Sequence, residues 1–95
     1  MMFPKPPRPE RGTAAAKRHM EAVAQLPCVC CYRGPVVVHH VIHGRFAQRR
    51  ASDFDTIPLC PEHHDELHAR PKAWRDRWGP DHGYLDQVRA QIREH

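Results

Sequence analysis

Four cysteines and nine histidines in a chain of 95 residues set the first question, because thiolate and imidazole are the side chains that hold transition metals. Cys28-Val29-Cys30-Cys31 contains a C-x2-C pair, and Cys60-Pro61-Glu62-His63 supplies C-x2-H further along the chain. Two such knuckles are the usual ligand set of a tetrahedral structural zinc, since each short turn aims both side chains at one point. Cys28, Cys31, Cys60 and His63 are therefore expected to bind a structural zinc. Cys30 is left as a spare buried thiol; pairing Cys28 with Cys30 is the less usual alternative. Zinc in such a site adds on the order of 10 kcal/mol of apparent folding free energy, comparable to the whole net stability of a small domain.

The remaining histidines include His39, His40, His43, His64 and His68. On a helix after Cys60, His64 and His68 fall only about 40° apart, while His63 is turned about a quarter-circle away. One helix can thus serve two metals, with His63 and Leu67 toward the structural zinc and the core, and His64 and His68 toward a second site. The plain alternative for an i, i+4 histidine pair is a solvated helix face.

The elements that must position these groups are short. Ten prolines, five glycines and seven aromatic residues in a chain 40% hydrophobic leave no room for a large two-layer core and point to one small α+β domain. Residues 1–12 hold four prolines among Lys5, Arg8 and Arg11 and read as an extended basic arm, disordered by itself, ahead of a single domain over residues 13–95. Thr13 offers an N-cap for a helix over Ala14–Leu26 with Ala16, Met20 and Val23 on one stripe, ended by Pro27. Pro35–Ile42 and Asp55–Leu59 read as strands, and Gly44–Phe54 between them as an exposed loop carrying Arg45, Arg49 and Arg50. A helix is expected over residues 61–70, with Pro61 at its first position; a further helical turn or two carries Trp74 and Trp78 on one face. A last helix follows from about Asp81 to Arg93 with Leu85, Val88 and Ile92 as its packing seam. The start Met1-Met2-Phe3-Pro4-Lys5 lacks the apolar stretch of a signal peptide, and no apolar run approaches the ~18 residues of a membrane span. A soluble, cytoplasmic protein is expected, without disulfides. Twelve arginines to three lysines and a net charge of +4 suit a phosphate-bearing partner.

Val38-His39-His40-Val41-Ile42, Asp53 through Cys60, and His63-His64-Asp65-Glu66-Leu67-His68 together resemble the HNH, or ββα-metal, nuclease motif. More narrowly, Cys28 through Trp78 is similar to small phage-type HNH proteins related to the recombination-enhancement, RecA-dependent nuclease family. The resemblance implies a ββα-metal core, here braced by the structural zinc and flanked by an N-terminal helix and C-terminal helices. It implies His39 as a ligand of the catalytic metal together with His64 and His68, and His40 as general base. The family's central asparagine, which orients the base, falls near Asp55, a departure from the pattern; His43 has no counterpart role. DNA is the implied substrate, and dependence on a recombinase filament is what the narrower resemblance suggests.

Phosphodiester hydrolysis asks for these residue types: a base to take a proton from water and a cation to hold charge building on phosphate and the leaving oxygen. Three imidazoles favour zinc, nickel, cobalt or manganese over magnesium, although a carboxylate or the substrate phosphate can rebalance this. Arg45, Arg49 and Arg50 are candidates to grip flanking phosphates without reading bases. His39 and His40, as strand neighbours, point to opposite faces unless the strand ends or bulges there. The expected function is a metal-dependent DNA endonuclease. The alternatives are a zinc-stabilised nucleic-acid-binding module that cuts nothing, and a small adaptor whose metal only supports a protein interface.

Overall fold

In the computed structural model, which describes residues 12–43 and 51–93, the first element begins where the sequence offers a cap. The Thr13 hydroxyl accepts the Ala16 N–H at 3.0 Å, and α1 runs Ala14–Ala24. It ends two residues before Leu26 because the last turn tightens: Gln25 and Leu26 donate to the carbonyls of Ala22 and Val23 three residues back, ahead of Pro27. Ala16 and Val23 of the expected stripe are buried, and Met20 is half-buried.

Two strands follow, β1 (Val37–His40) and β2 (Thr56–Leu59), paired antiparallel with Val37 opposite Leu59 and His40 opposite Thr56. Both are shorter than the apolar runs that suggested them. All four residues of β2 are buried. Side chains alternate between faces along a strand, so both faces of β2 are covered, and α1, α2 and α4 all pack on it. Pro58 sits in this strand at no cost in ladder bonds: its carbonyl points away from β1 and accepts the Val29 N–H at 3.1 Å, so its missing N–H faces the same way. That bond also ties the cysteine knuckle to the sheet.

The remaining elements are α2 (Pro61–Ala69), α3 (Pro71–Trp78), a 3-10 turn (Asp81–Tyr84) and α4 (Leu85–Arg93). Pro71 does not only stop α2; it occupies the first turn of α3, leaving Arg70 as the single joint residue. Gly79, at φ 83°, closes α3 in the left-handed region. The last helix is split, its first turn wound as 3-10. Val88 of the expected seam is fully buried, with Leu85 and Ile92 packed beside it. Trp74 is fully buried and Trp78 packs at the core's edge, so both serve packing. The molecule is thus a small α+β domain with a two-stranded sheet, as expected. Among the described residues no helix is long and apolar enough to cross a membrane.

His19 of α1 stacks on Phe54 at 5.1 Å between ring centroids. Burial and the nearby Arg89 guanidinium hold its pKa below the ordinary histidine value, while a backbone bond to Phe54 and the Asp55 charge oppose them. A depressed folded pKa contributes stability that is present above the unfolded value and lost as pH falls through the folded one. The denaturation midpoint is expected to drop between pH 7.5 and pH 5, and His19→Gln to drop less over the same interval. Equal drops in the two proteins would remove His19 from the cause.

Candidate metal centres and the histidine dyad

The cysteine knuckle is a tight turn. The Tyr32 N–H donates to the Cys28 carbonyl at 2.8 Å and the Cys28 N–H to the Arg33 carbonyl at 3.1 Å, with Tyr32 in the left-handed region at φ 59°. A tyrosine there carries backbone strain of order 1 kcal/mol. The turn delivers Cys28 and Cys31; Cys60 and His63 come from the end of β2 and the first turn of α2. Cys60 flanks α2 as its N-cap residue without capping it through the side chain, because its sulfur faces the cluster.

The four ligand atoms lie within 4.8 Å of one another. Cys31 Sγ and Cys60 Sγ are 3.8 Å apart, the separation of two sulfurs about 2.3 Å from one tetrahedral ion. His63 Nδ1 is 3.0 Å from Cys60 Sγ and 3.8 Å from Cys28 Sγ, bracketing the spacing of about 3.6 Å that a tetrahedral zinc would impose. The cluster can hold a metal such as zinc. Cys30 stays outside it: its N–H donates to Cys28 Sγ at 3.4 Å, and burial, then the neighbouring Cys28 sulfur, pushes its thiol pKa up to about 12. Burial also works against the Cys28 thiolate, but N–H donors from Cys60, Cys31 and Cys30 outweigh it and bring that thiol below its ordinary value. Among the described residues all four cysteines are free of disulfides.

A second cluster gathers His39, His64 and His68. His64 and His68, one turn apart on α2, place their Nε2 atoms 3.1 Å from each other. Two nitrogens about 2.1 Å from a common ion would stand about 3.0 to 3.4 Å apart, so this spacing fits an ion between them. The His39 ring, buried at the end of β1, lies 5.3 and 5.4 Å from the two helix rings by centroid, edge-on to both. Burial first, then the imidazoles of His68 and His39, holds the His64 pKa below the ordinary value, a shift in the direction that favours ligation. His63 and His64, adjacent in sequence, thus turn to different clusters, as their angular separation on a helix requires.

His40 is not part of that cluster. Its Nε2–H donates to Asp53 Oδ1 at 2.7 Å, the carboxylate being able only to accept, which leaves Nδ1 as the basic nitrogen. Asp53 is 5% exposed and its second oxygen accepts the Gly12 N–H at 2.8 Å. The aspartate expected against the base was Asp55. That expectation is corrected: Asp55 turns to Arg89, whose Nη2 lies 2.7 Å from its Oδ1, and so pins α4 to the loop before β2. Asp53 and Asp55 are two positions apart around a turn in which the Asp55 N–H donates to the Ser52 carbonyl, and residue order alone does not distinguish them.

Both histidines lie inside β1, His39 opposite Ile57 and His40 opposite Thr56, so the strand neither ends nor bulges between them and the two rings leave it on opposite faces. β1 stops at His40, and the amides of Ile42 and His43 donate to the Asp81 carboxylate at 2.7 and 3.0 Å. His43 is a latch: its Nδ1 accepts the Asp81 N–H and its Nε2–H donates to the Pro71 carbonyl, both at 3.0 Å. Asp81 was missed by sequence reasoning; a lone aspartate after Gly79-Pro80 signals only a helix start. Arg45, Arg49 and Arg50, and the arm up to residue 11, lie outside the described residues, although Gly12 at the arm's end is held by Asp53.

Compared with known proteins, residues 1–90 match the model of a family described as a protein of unknown function, DUF968. The uncharacterized protein YdfU of Escherichia coli (strain K12) is 34% identical over 73 residues, which cover 75% of this chain and 21% of the relative. The chain therefore spans about a fifth of the length of that curated relative. No solved structure matches.

Proposed function

The chain belongs to the DUF968 family, and we propose that it is a metal-dependent DNA endonuclease of the HNH, or ββα-metal, kind, braced by zinc at Cys28, Cys31, Cys60 and His63. One observation carries the proposal: His39, His64 and His68 converge, while the next residue, His40, stays out of the cluster with its Nε2–H held by a buried carboxylate. A purely structural metal has no use for a neighbouring imidazole that is left out of the ligand set and oriented by a carboxylate. The resemblance of residues 28–78 to small phage-type HNH proteins, and a net charge of +4, support DNA as the substrate.

Bound at the histidine cluster, a divalent ion supplies positive charge to the scissile phosphate and the leaving oxygen. His39, His64 and His68 would hold it through one imidazole nitrogen each. Asp53 fixes the tautomer and orientation of His40. His40 Nδ1 takes a proton from the attacking water, and the Asp53 carboxylate then faces the positive charge that the ring acquires. Arg45, Arg49 and Arg50 are proposed to hold flanking phosphates, which fixes register without reading bases. Dependence on a recombinase filament is part of the proposal only through the narrower resemblance.

A second reading, a zinc-stabilised nucleic-acid-binding module without catalysis, draws on the His64–His68 contact, which is also a good hydrogen bond between two neutral rings. Elemental analysis with a plasmid-nicking assay across zinc, nickel, cobalt, manganese and magnesium separates the two. The nuclease is expected to carry two metals per chain and to nick; His64→Ala should lose one metal and the nicking together. One metal per chain with no nicking under any ion supports the binding module instead.

A further inference from the structure

We infer that Asp81 is the positioning residue of the histidine metal centre: it holds the proton of His39 on Nε2 and so makes His39 an Nδ1 ligand. The inference rests on His39, His64 and His68 forming a metal site, and not on the reaction performed there.

Asp81 stands at the start of the 3-10 turn, outside the stretch that resembles a nuclease motif, and is fully buried. A buried carboxylate needs donors, and this one has them. Oδ2 accepts from His39 Nε2 at 2.8 Å and from the Ile42 N–H at 2.7 Å, while Oδ1 accepts from the His43 N–H at 3.0 Å. The Ile42 and His43 amides can only donate, so each carboxylate oxygen of Asp81 serves as an acceptor here. His39 must then donate from Nε2. Its one remaining lone pair is on Nδ1, and the ring is packed edge-on against His64 and His68.

The carboxylate is itself immobilised. The Asp81 N–H donates to His43 Nδ1, and His43 Nε2–H donates to the Pro71 carbonyl at the start of α3. These bonds join the segment after β1, the start of α3 and the 3-10 turn, so the direction in which His39 presents its lone pair is set by Asp81 and by the His43 and Pro71 contacts that hold it. A carboxylate behind a ligating imidazole fixes the ring and strengthens it as a donor; loss of such a partner usually costs 10–100-fold in metal affinity.

The test uses the full chain, isotopically labelled, with its cysteine cluster loaded with one zinc. Long-range proton–nitrogen correlation spectra should show His39 protonated on Nε2 before and after a second equivalent of Zn2+, with the ion shifting Nδ1. Calorimetry should find Asp81→Asn binding the second Zn2+ about 10–100-fold more weakly, with the first zinc and the fold retained. Wild-type protein that takes up two zincs with His39 protonated on Nδ1 overturns the inference, even if the variant fails to fold. So does a folded variant with wild-type affinity, which would leave Asp81 a brace for two backbone amides only. Wild-type protein that takes up no second Zn2+ overturns the metal site itself and this inference with it.

Discussion

Cys60→Ser is expected to leave a chain that holds no zinc and has no cooperative fold. Cys60 closes β2, precedes the first turn of α2, and places its sulfur 3.8 Å from Cys31 Sγ and 3.0 Å from His63 Nδ1. A serine hydroxyl is a poor zinc ligand, so the substitution removes a corner of the tetrahedron. The loss is on the order of 10 kcal/mol of apparent folding free energy. Net stabilities of small domains are about 5–15 kcal/mol, so this single loss is comparable to the whole. Zinc content by elemental analysis and helical circular dichroism check the outcome. Cys30→Ser is the control: its thiol is outside the cluster, so zinc and fold should survive. A folded Cys60→Ser protein free of zinc would show that the sulfur cluster does not brace the domain.

His40→Ala is expected to lower plasmid nicking by 10²–10⁴-fold, the usual contribution of a positioned base, while both metals stay bound. The ring is half-exposed at the end of β1 and touches neither cluster as a ligand, so its removal takes away the proton acceptor and little packing. Asp53→Asn should fall in the same direction, because an amide can turn its NH2 toward Nε2 and let the ring adopt the other tautomer. Nicking rates measured at saturating metal decide the matter. A His40→Ala protein that cuts at the wild-type rate would sink the base assignment, whatever the metal content.

Much of this was readable from residue order because local chemistry determined it. The C-x2-C and C-x2-H turns bring their ligands together across three residues of chain, and the i, i+4 spacing of His64 and His68 is a property of any helix. The Thr13 cap and the proline at the start of α2 are equally local. What could not be read are contacts closed over long separations. Asp53 reaches His40 across the segment between the strands, and Asp81 reaches His39 from forty-two residues away. Nothing in an isolated aspartate tells which histidine it will meet; packing of α4 and the 3-10 turn decides that. The choice of Asp55 failed for the same reason, since Arg89 of α4 claims it.

The hydrogen bond from the Gly12 amide to Asp53 has a practical side. A protein trimmed to start at residue 12 would put a charged amino group, in place of a neutral amide, against the carboxylate that holds His40, and one trimmed further would lose that donor. Here it would alter the electrostatics around His40, and measurements on preparations with and without residues 1–11 are not interchangeable.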